Sequence, residues 1–438
     1  MFTFDFPYQI QHLLTSFWLA VQIALLIYLG LVFYFSLKNP AYAVFLTVIV
    51  LPSYLFRTKF NFIPLTFLEI CLLILFFSLL INLGVKKERQ KKYFYPYRWP
   101  ILLILLTSTM SVFIAADTDK AAGIWKAYFI EPVMFYIVLI NFIQSKKDFR
   151  LLAWALGISG FLIAAISIFQ KFTGFGIAEV SWYAPNLRKV NAVYTSPNAV
   201  ALFLGPISAV YMGWLLADVK NKNFSGRFLL KIILLLSFLT TIYFTKSAGG
   251  AIAIFTSAIF ILFFGLTKKW TILAVLFLIL ASLIFSPLRH NIGQTFDLAD
   301  PSWQNRLILW QETWKYLTFS VKNFIFGAGL FSFPQIQNQF RDPLKMEPLL
   351  YPHNIFLNFW IETGLAGLAA FLWLMFSFFR NGFKAAAYGN KAFVYGIMSA
   401  MVYIIIHGLF DVPYFKNDLS VLFWIIVSLS TMTYTFDK

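Results

Sequence analysis

Apolar runs recur along the whole chain, near 15–37, 40–56, 61–85, 100–116, 121–143, 151–170, 198–216, 229–245, 249–266, 270–286, 355–379, 394–410 and 418–433. Most approach the ~20 residues that carry a helix across ~30 Å of hydrocarbon at ~1.5 Å per residue. A transmembrane β-barrel would instead alternate over segments of roughly ten residues. The pattern predicts an all-α polytopic membrane protein with 12 or 13 spans. The connections are short except for the polar stretch 287–354, and structureless loops of that length are uncommon, which makes it an expected functional subdomain. The expected organisation is about ten transmembrane helices over 1–286, an extracytoplasmic insertion over 287–354, and C-terminal transmembrane helices over 355–438. No repeat of fixed period is evident.

Sixty per cent hydrophobic residues, 53 Phe and 12% charged residues exclude a soluble domain. The net charge of +17 would suit nucleic acid, but its distribution points elsewhere. Lys and Arg cluster at 86–98, 146–150, 220–231, 268–269 and 380–391, each group two spans from the next. All therefore fall on one side, the cytoplasm by the positive-inside rule, and no nucleic-acid partner is expected. The start, Met1-Phe-Thr-Phe-Asp-Phe, lacks a basic region and a small-residue cleavage site, so no cleaved signal is expected. Cys71, the single cysteine, reads as a small buried hydrophobe.

The opposite face collects 117–120, 171–197, the tight link 246–250, the insertion and 411–417. Within the insertion, Trp303, Leu307, Trp310, Trp314 and Leu317 step by three or four and predict a helix over 303–319, with Ser302 as its N-cap. Arg306 lands at the edge of this stripe beside Trp310. Gly327-Ala-Gly329 reads as a turn. The insertion ends in Pro352-His353-Asn354 at the mouth of an apolar run, placing an imidazole at the water–lipid boundary. Its unperturbed pKa of ~6.5 suits proton transfer near neutral pH.

His353, Arg306, Lys246 and Arg188 thus share one face, with Asn198 and Asn354 as neutral donors. Arginine's planar fork matches phosphate oxygens and lysine adds a point charge. One base among several cations at a membrane surface suits transfer from a lipid diphosphate: the cations neutralise the leaving diphosphate and the base takes an acceptor hydroxyl's proton. Each residue also has a structural reading. His353 fits a helix cap, Lys246-Ser-Ala-Gly-Gly250 an inter-helix turn, Arg188 loop solvation and Arg306 a snorkelling side chain. His407 reads as structural. Glu362, Glu69 and Glu131 lie inside apolar runs, where a carboxylate is costly unless paired; Glu362 and Glu131 fit buried support of the site. Asp117-Thr-Asp119 is a weak divalent-metal signal, and neither a zinc-type ligand spacing nor a P-loop is present. No metal and no cofactor is expected.

Pro352-His-Asn-Ile-Phe-Leu357 with Glu362-Thr-Gly-Leu-Ala-Gly-Leu368 resembles the O-antigen ligase and polymerase superfamily of bacterial membrane glycosyltransferases. Asn305-Arg-Leu-Ile-Leu-Trp310, Phe326-Gly-Ala-Gly-Leu330, Thr195-Ser-Pro-Asn-Ala-Val-Ala201 and His407-Gly-Leu-Phe-Asp411 are similar to its other signatures, in order, over roughly 190–415. The resemblance implies a GT-C-like bundle in the bacterial cytoplasmic (inner) membrane, with its site on the periplasmic or extracellular side. It implies an inverting, metal-independent transfer from an undecaprenyl-diphosphate-linked glycan to a saccharide, lipid or protein acceptor, among membrane lipids. His353 would be the base or acceptor-orienting group, with Arg306 on the diphosphate. The family's second diphosphate arginine stands in a Ser-Arg-Gly turn; this chain has Lys246-Ser-Ala-Gly-Gly250, so Lys246 is the substitute. A polysaccharide polymerase of the same superfamily, or a lipid-linked saccharide flippase using Glu69 and Glu131 at mid-depth, are the alternatives.

Overall fold

The computed structural model describes residues 2–4, 8–61, 63–85, 95–185, 188–266, 301–342 and 346–436. Among them, eight helices are long and apolar enough to cross a membrane, and four shorter apolar helices stand beside them. The chain is an all-α polytopic membrane protein. Hydrocarbon offers the backbone no partner, so apolar runs of this length close their own hydrogen bonds as helices. In order they are α1 (Tyr8–Ser16), α2 (Trp18–Lys38), α3 (Pro40–Ile49), α4 (Phe67–Val85), α5 (Arg98–Ile114), α6 (Thr118–Ile124), α7 (Glu131–Phe142), α8 (Lys146–Thr173), α9 (Pro197–Lys220), α10 (Gly226–Thr245) and α11 (Ala248–Gly265). Three helices follow in the insertion: α12 (Pro301–Thr318), α13 (Val321–Phe326) and α14 (Phe333–Gln337). The last three are α15 (Ile355–Tyr388), α16 (Lys391–His407) and α17 (Asn417–Phe436). The run at 270–286, and with it part of the span count, lies outside the described residues.

α9, α16 and α17 form the buried centre, with Trp424, Tyr211 and Tyr403 fully enclosed. α2 is nearly all rim: Leu19, Leu26 and Ile27 are exposed, as apolar side chains are where lipid is the neighbour.

Three features depart from the hydropathy reading. The N-terminal strand β1 (Thr3–Phe4) joins two strands that lie between α3 and α4, β2 (Phe56–Phe60) and β3 (Ile63–Thr66), in a small antiparallel sheet with β2 in the middle. Between α6 and α7, Trp125–Ile130 form a π turn. And α15 breaks at Gly364 (φ 73°, ψ 176°), a backbone state that side-chain-bearing residues rarely adopt.

The break is where the insertion docks. A Cβ at Gly364 would lie 2.6 Å from Ile325 O, and one at Gly327 would strike Ile361 O. The carbonyls that the break frees find new donors: Ala328 N–H reaches Ile361 O at 2.7 Å, and Ser111 Oγ donates to Glu362 O. Trp360 Nε1 donates to Phe324 O at 2.7 Å, and Glu362 Oε2 accepts from Phe331 N–H at 3.1 Å. Glu362 is therefore a buried strut between α15 and the turn after Gly329.

α12 forms as the periodicity predicts, with two differences. It starts at Pro301, so Ser302 lies inside the first turn instead of capping it. Its packed row is Leu309, Thr313 and Leu317, whereas Leu307 and Trp314 are 44% and 51% exposed. Where lipid can take the outer face, apolarity alone does not mark the inner one.

Candidate active site

The corner between α16 and α17 organises the site, because four consecutive residues each hold one piece of it. Gly408 O accepts from Ile355 N–H at 2.7 Å, fixing the start of α15. Leu409 O accepts from Asn354 Nδ2 at 3.3 Å. Phe410 O accepts from Arg306 Nε at 3.0 Å, and its ring meets Trp303 edge-on with centroids 5.6 Å apart. Asp411 Oδ1 lies 3.1 Å from His353 Nδ1.

His353 is left-handed (φ 51°), a conformation that costs a non-glycine residue of order 1–3 kcal/mol and that histidine tolerates better than most. Asn354 follows as the N-cap of α15, its Oδ1 accepting from Phe356 and Leu357 N–H at 3.0 and 3.1 Å. Asn354 thus caps α15 through its oxygen and ties the corner to Leu409 O through one of its two amide N–H groups. Asp411 is buried, which alone would raise its pKa; the His353 ring beside it, then His407, hold its carboxyl well below the usual carboxylate range. Its contribution to stability is thus present above the ordinary carboxylate range and lost only as pH falls through the depressed value. An ionised Asp411 accepts from Nδ1–H, which assigns the neutral ring's lone pair to Nε2, the nitrogen free to act as a base.

Arg306 is half-buried. Beyond Phe410 O, its Nη1 donates to Ser302 Oγ at 2.6 Å and Ser302 O at 3.3 Å. Among the described residues no partner takes its Nη2. Among the described residues the guanidinium is therefore aimed from one side and open on the other.

The turn between α10 and α11 approaches from the third side. A Cβ on Gly249 would sit 2.8 Å from His407 Cδ2 and 3.4 Å from Phe410 Cβ. Lys246 is the left-handed C-cap of α10 (φ 55°), and Ser247 caps α11 through Gly250 N–H at 3.3 Å. Burial, then the neighbouring Lys189, lowers the Lys246 ammonium's pKa. Lys171 donates to Arg188 O at 3.2 Å and lies over the Phe244 ring. Arg188 itself braces the 174–190 loop, donating to Lys171 O at 2.8 Å and Tyr183 O at 3.1 Å. Four cations thus gather on this edge, and among the described residues no carboxylate pairs with Lys171, Arg188 or Lys189. Asn198 is half-buried in the first turn of α9, one turn before the Ala201 that packs against Gly250.

The structure thus brings His353, Asn354 and Arg306 to one corner, and the turn that carries Lys246 packs against that corner through Gly249. Arg188 and Asn198 lie further along the Lys246 edge. Glu362 supports the corner from below, while Glu131 belongs to a different cluster beside Lys126. Asp117 of the D-x-D caps α6 and pairs with Lys120 at 3.0 Å. Sequence reasoning does not single out Asp411 or Lys171, and it gives Ser302 only a capping role. Asp411 closes the His407-Gly-Leu-Phe-Asp411 signature, which was its one visible signal.

Residues 232–372 match the family model described as O-Antigen ligase. A Rickettsia typhi protein provisionally named a polysaccharide ligase is 31% identical over 156 residues, 32% of this chain. The match spans only 37% of that relative's length.

Proposed function

We propose, from the premise that residues 232–372 are an O-antigen ligase domain, that the protein works in surface polysaccharide assembly, transferring a glycan from a lipid diphosphate to an acceptor hydroxyl. The observation that carries this is the His353–Asp411 pair set beside an Arg306 whose Nη2 is open. His353 Nε2 takes the acceptor proton as its oxygen attacks the anomeric carbon. Arg306, with Lys246 from the facing turn, neutralises the diphosphate that leaves, and the field of Lys171, Arg188 and Lys189 adds to theirs. Attack opposite the leaving group inverts the anomeric centre. With protein cations holding the diphosphate, no metal is called for. The basic clusters support a topology with the opposite end of the helices in the cytoplasm and this corner on the outer face of the bacterial inner membrane.

The deciding experiment gives the purified chain an undecaprenyl-diphosphate glycan and, separately, lipid A core, free polysaccharide and a protein acceptor, with and without chelator. Transfer to one acceptor, unaffected by chelator, is expected. Export of intact lipid-linked saccharide without transfer would favour the flippase, and loss with chelator would overturn the metal-free step.

Asp411→Asn should keep the Val412 N–H contact of the side-chain oxygen (2.9 Å) yet lose the charge that fixes the histidine tautomer. Transfer should fall by between roughly ten-fold and the ~10⁴-fold that the same change produces in a Ser-His-Asp triad. Unchanged initial rates in a transfer assay would show that Asp411 only shapes the corner.

A further inference from the structure

A second cluster of buried ionisable groups plays no part in this chemistry. Glu69, in the first turn of α4, is 3% exposed. Its Oε2 accepts from Thr66 N–H at 2.9 Å and Lys126 Nζ at 3.0 Å, and its Oε1 from Asn417 Nδ2 at 2.9 Å. Lys126 also donates to Pro64 O at 2.7 Å and stands 3.9 Å from Glu131 Oε1. The π turn makes that approach: Glu131 N–H bonds Lys126 O, five residues back, stacking the two positions that an α-helix would turn apart.

Glu131 is also 3% exposed, and among the described residues its Oε2 has no donor; Asn417 Oδ1, beside Glu69, has none there either. The Glu69 and Glu131 carboxyls face the same ammonium, with Lys126 Nζ 3.0 Å from Glu69 Oε2 and 3.9 Å from Glu131 Oε1. Two facing carboxylates against one ammonium leave a buried negative charge and two acceptor atoms unmet, which is costly. The other charged groups nearby, Lys416 and Asp418, face Tyr194: Lys416 Nζ lies over its ring at 4.5 Å, and Asp418 accepts from its hydroxyl at 2.9 Å.

We propose that Glu69, Glu131 and Asn417 form a binding site for one monovalent cation, a proton or a sodium ion, held between the two carboxyls. A proton would sit on one carboxyl and donate to the other; sodium would draw on both and on Asn417 Oδ1. Asn417 begins α17, and the segment before it carries Asp411, so occupancy secures the root of the loop that orients His353.

The test is thermal unfolding of the full chain in detergent, wild type against Glu131→Gln, from neutral to alkaline pH in sodium or potassium salt. With a bound proton, the wild type should lose about 2–4 °C or more as the site empties, equally in both salts, while the variant stays level. With bound sodium, the wild type at alkaline pH should gain a similar amount from sodium over potassium, and the variant nothing. Identical responses of the two proteins to pH and to sodium would overturn the site. Should Glu131→Gln not fold, Glu69→Gln, which removes the facing carboxyl, is read the same way. None of these readouts depends on glycan transfer, so the result stands or falls apart from the transferase reading.

Discussion

His353→Ala should lower glycan transfer by roughly 10²–10⁴-fold while the protein still inserts and folds, the range that removing a positioned general base gives. The expectation follows from how little else the ring does. Among the described residues its one polar partner is Asp411, and the corner it occupies is held independently through Ile355 N–H on Gly408 O and the Asn354 cap. Alanine also fits the left-handed backbone at 353 poorly, so a melting curve belongs beside the rate. A modest shift in melting temperature with transfer lost is the expected pair of results. Transfer within a factor of a few of wild type, measured on purified protein with lipid-linked glycan, would remove His353 from the chemistry and leave it a corner residue.

Arg306→Lys should be nearly as damaging, with a loss of about 10²–10³-fold, comparable to removing one donor that stabilises developing charge. Lysine keeps the charge but not the fork. The guanidinium bonds Phe410 O through Nε and Ser302 through Nη1 while Nη2 stays open. An ammonium is a point charge on a flexible stem and cannot hold that geometry and reach a diphosphate together. The loss should appear mainly in kcat, because the charge on the bridging oxygen develops as the bond breaks. Full activity in Arg306→Lys would reduce the residue to an anchor for α12.

The membrane-spanning helices were legible in the sequence because hydrocarbon imposes one rule, backbone self-satisfaction, over ~20 residues at a time. The corner was legible in part. His353 shows as a histidine at a helix mouth and Arg306 as a charge on an aromatic stripe. Their common organiser does not, since the His353–Asp411 contact joins residues 58 apart in the chain and no local spacing rule reaches that far. The packed row of α12 is hidden for a related reason, as Leu307 and Trp314 in the apolar stripe are exposed. Glu131 illustrates the other limit. Its pairing with Lys126 exists only because a π turn replaces an α turn between them, and apolar periodicity does not announce that exchange.

The break at Gly364 bears on how the protein fits its bilayer. An unbroken helix from Ile355 to Tyr388 would run about 51 Å at ~1.5 Å per residue, far beyond the ~30 Å hydrocarbon core. With the break, the part after it is about 36 Å long, close to a match that modest tilt completes. The first two turns, with His353 at their head, are pinned to the insertion and to the 408–411 segment. Tilt below Gly364 would then absorb variation in membrane thickness and leave His353 and Arg306 at the same separation.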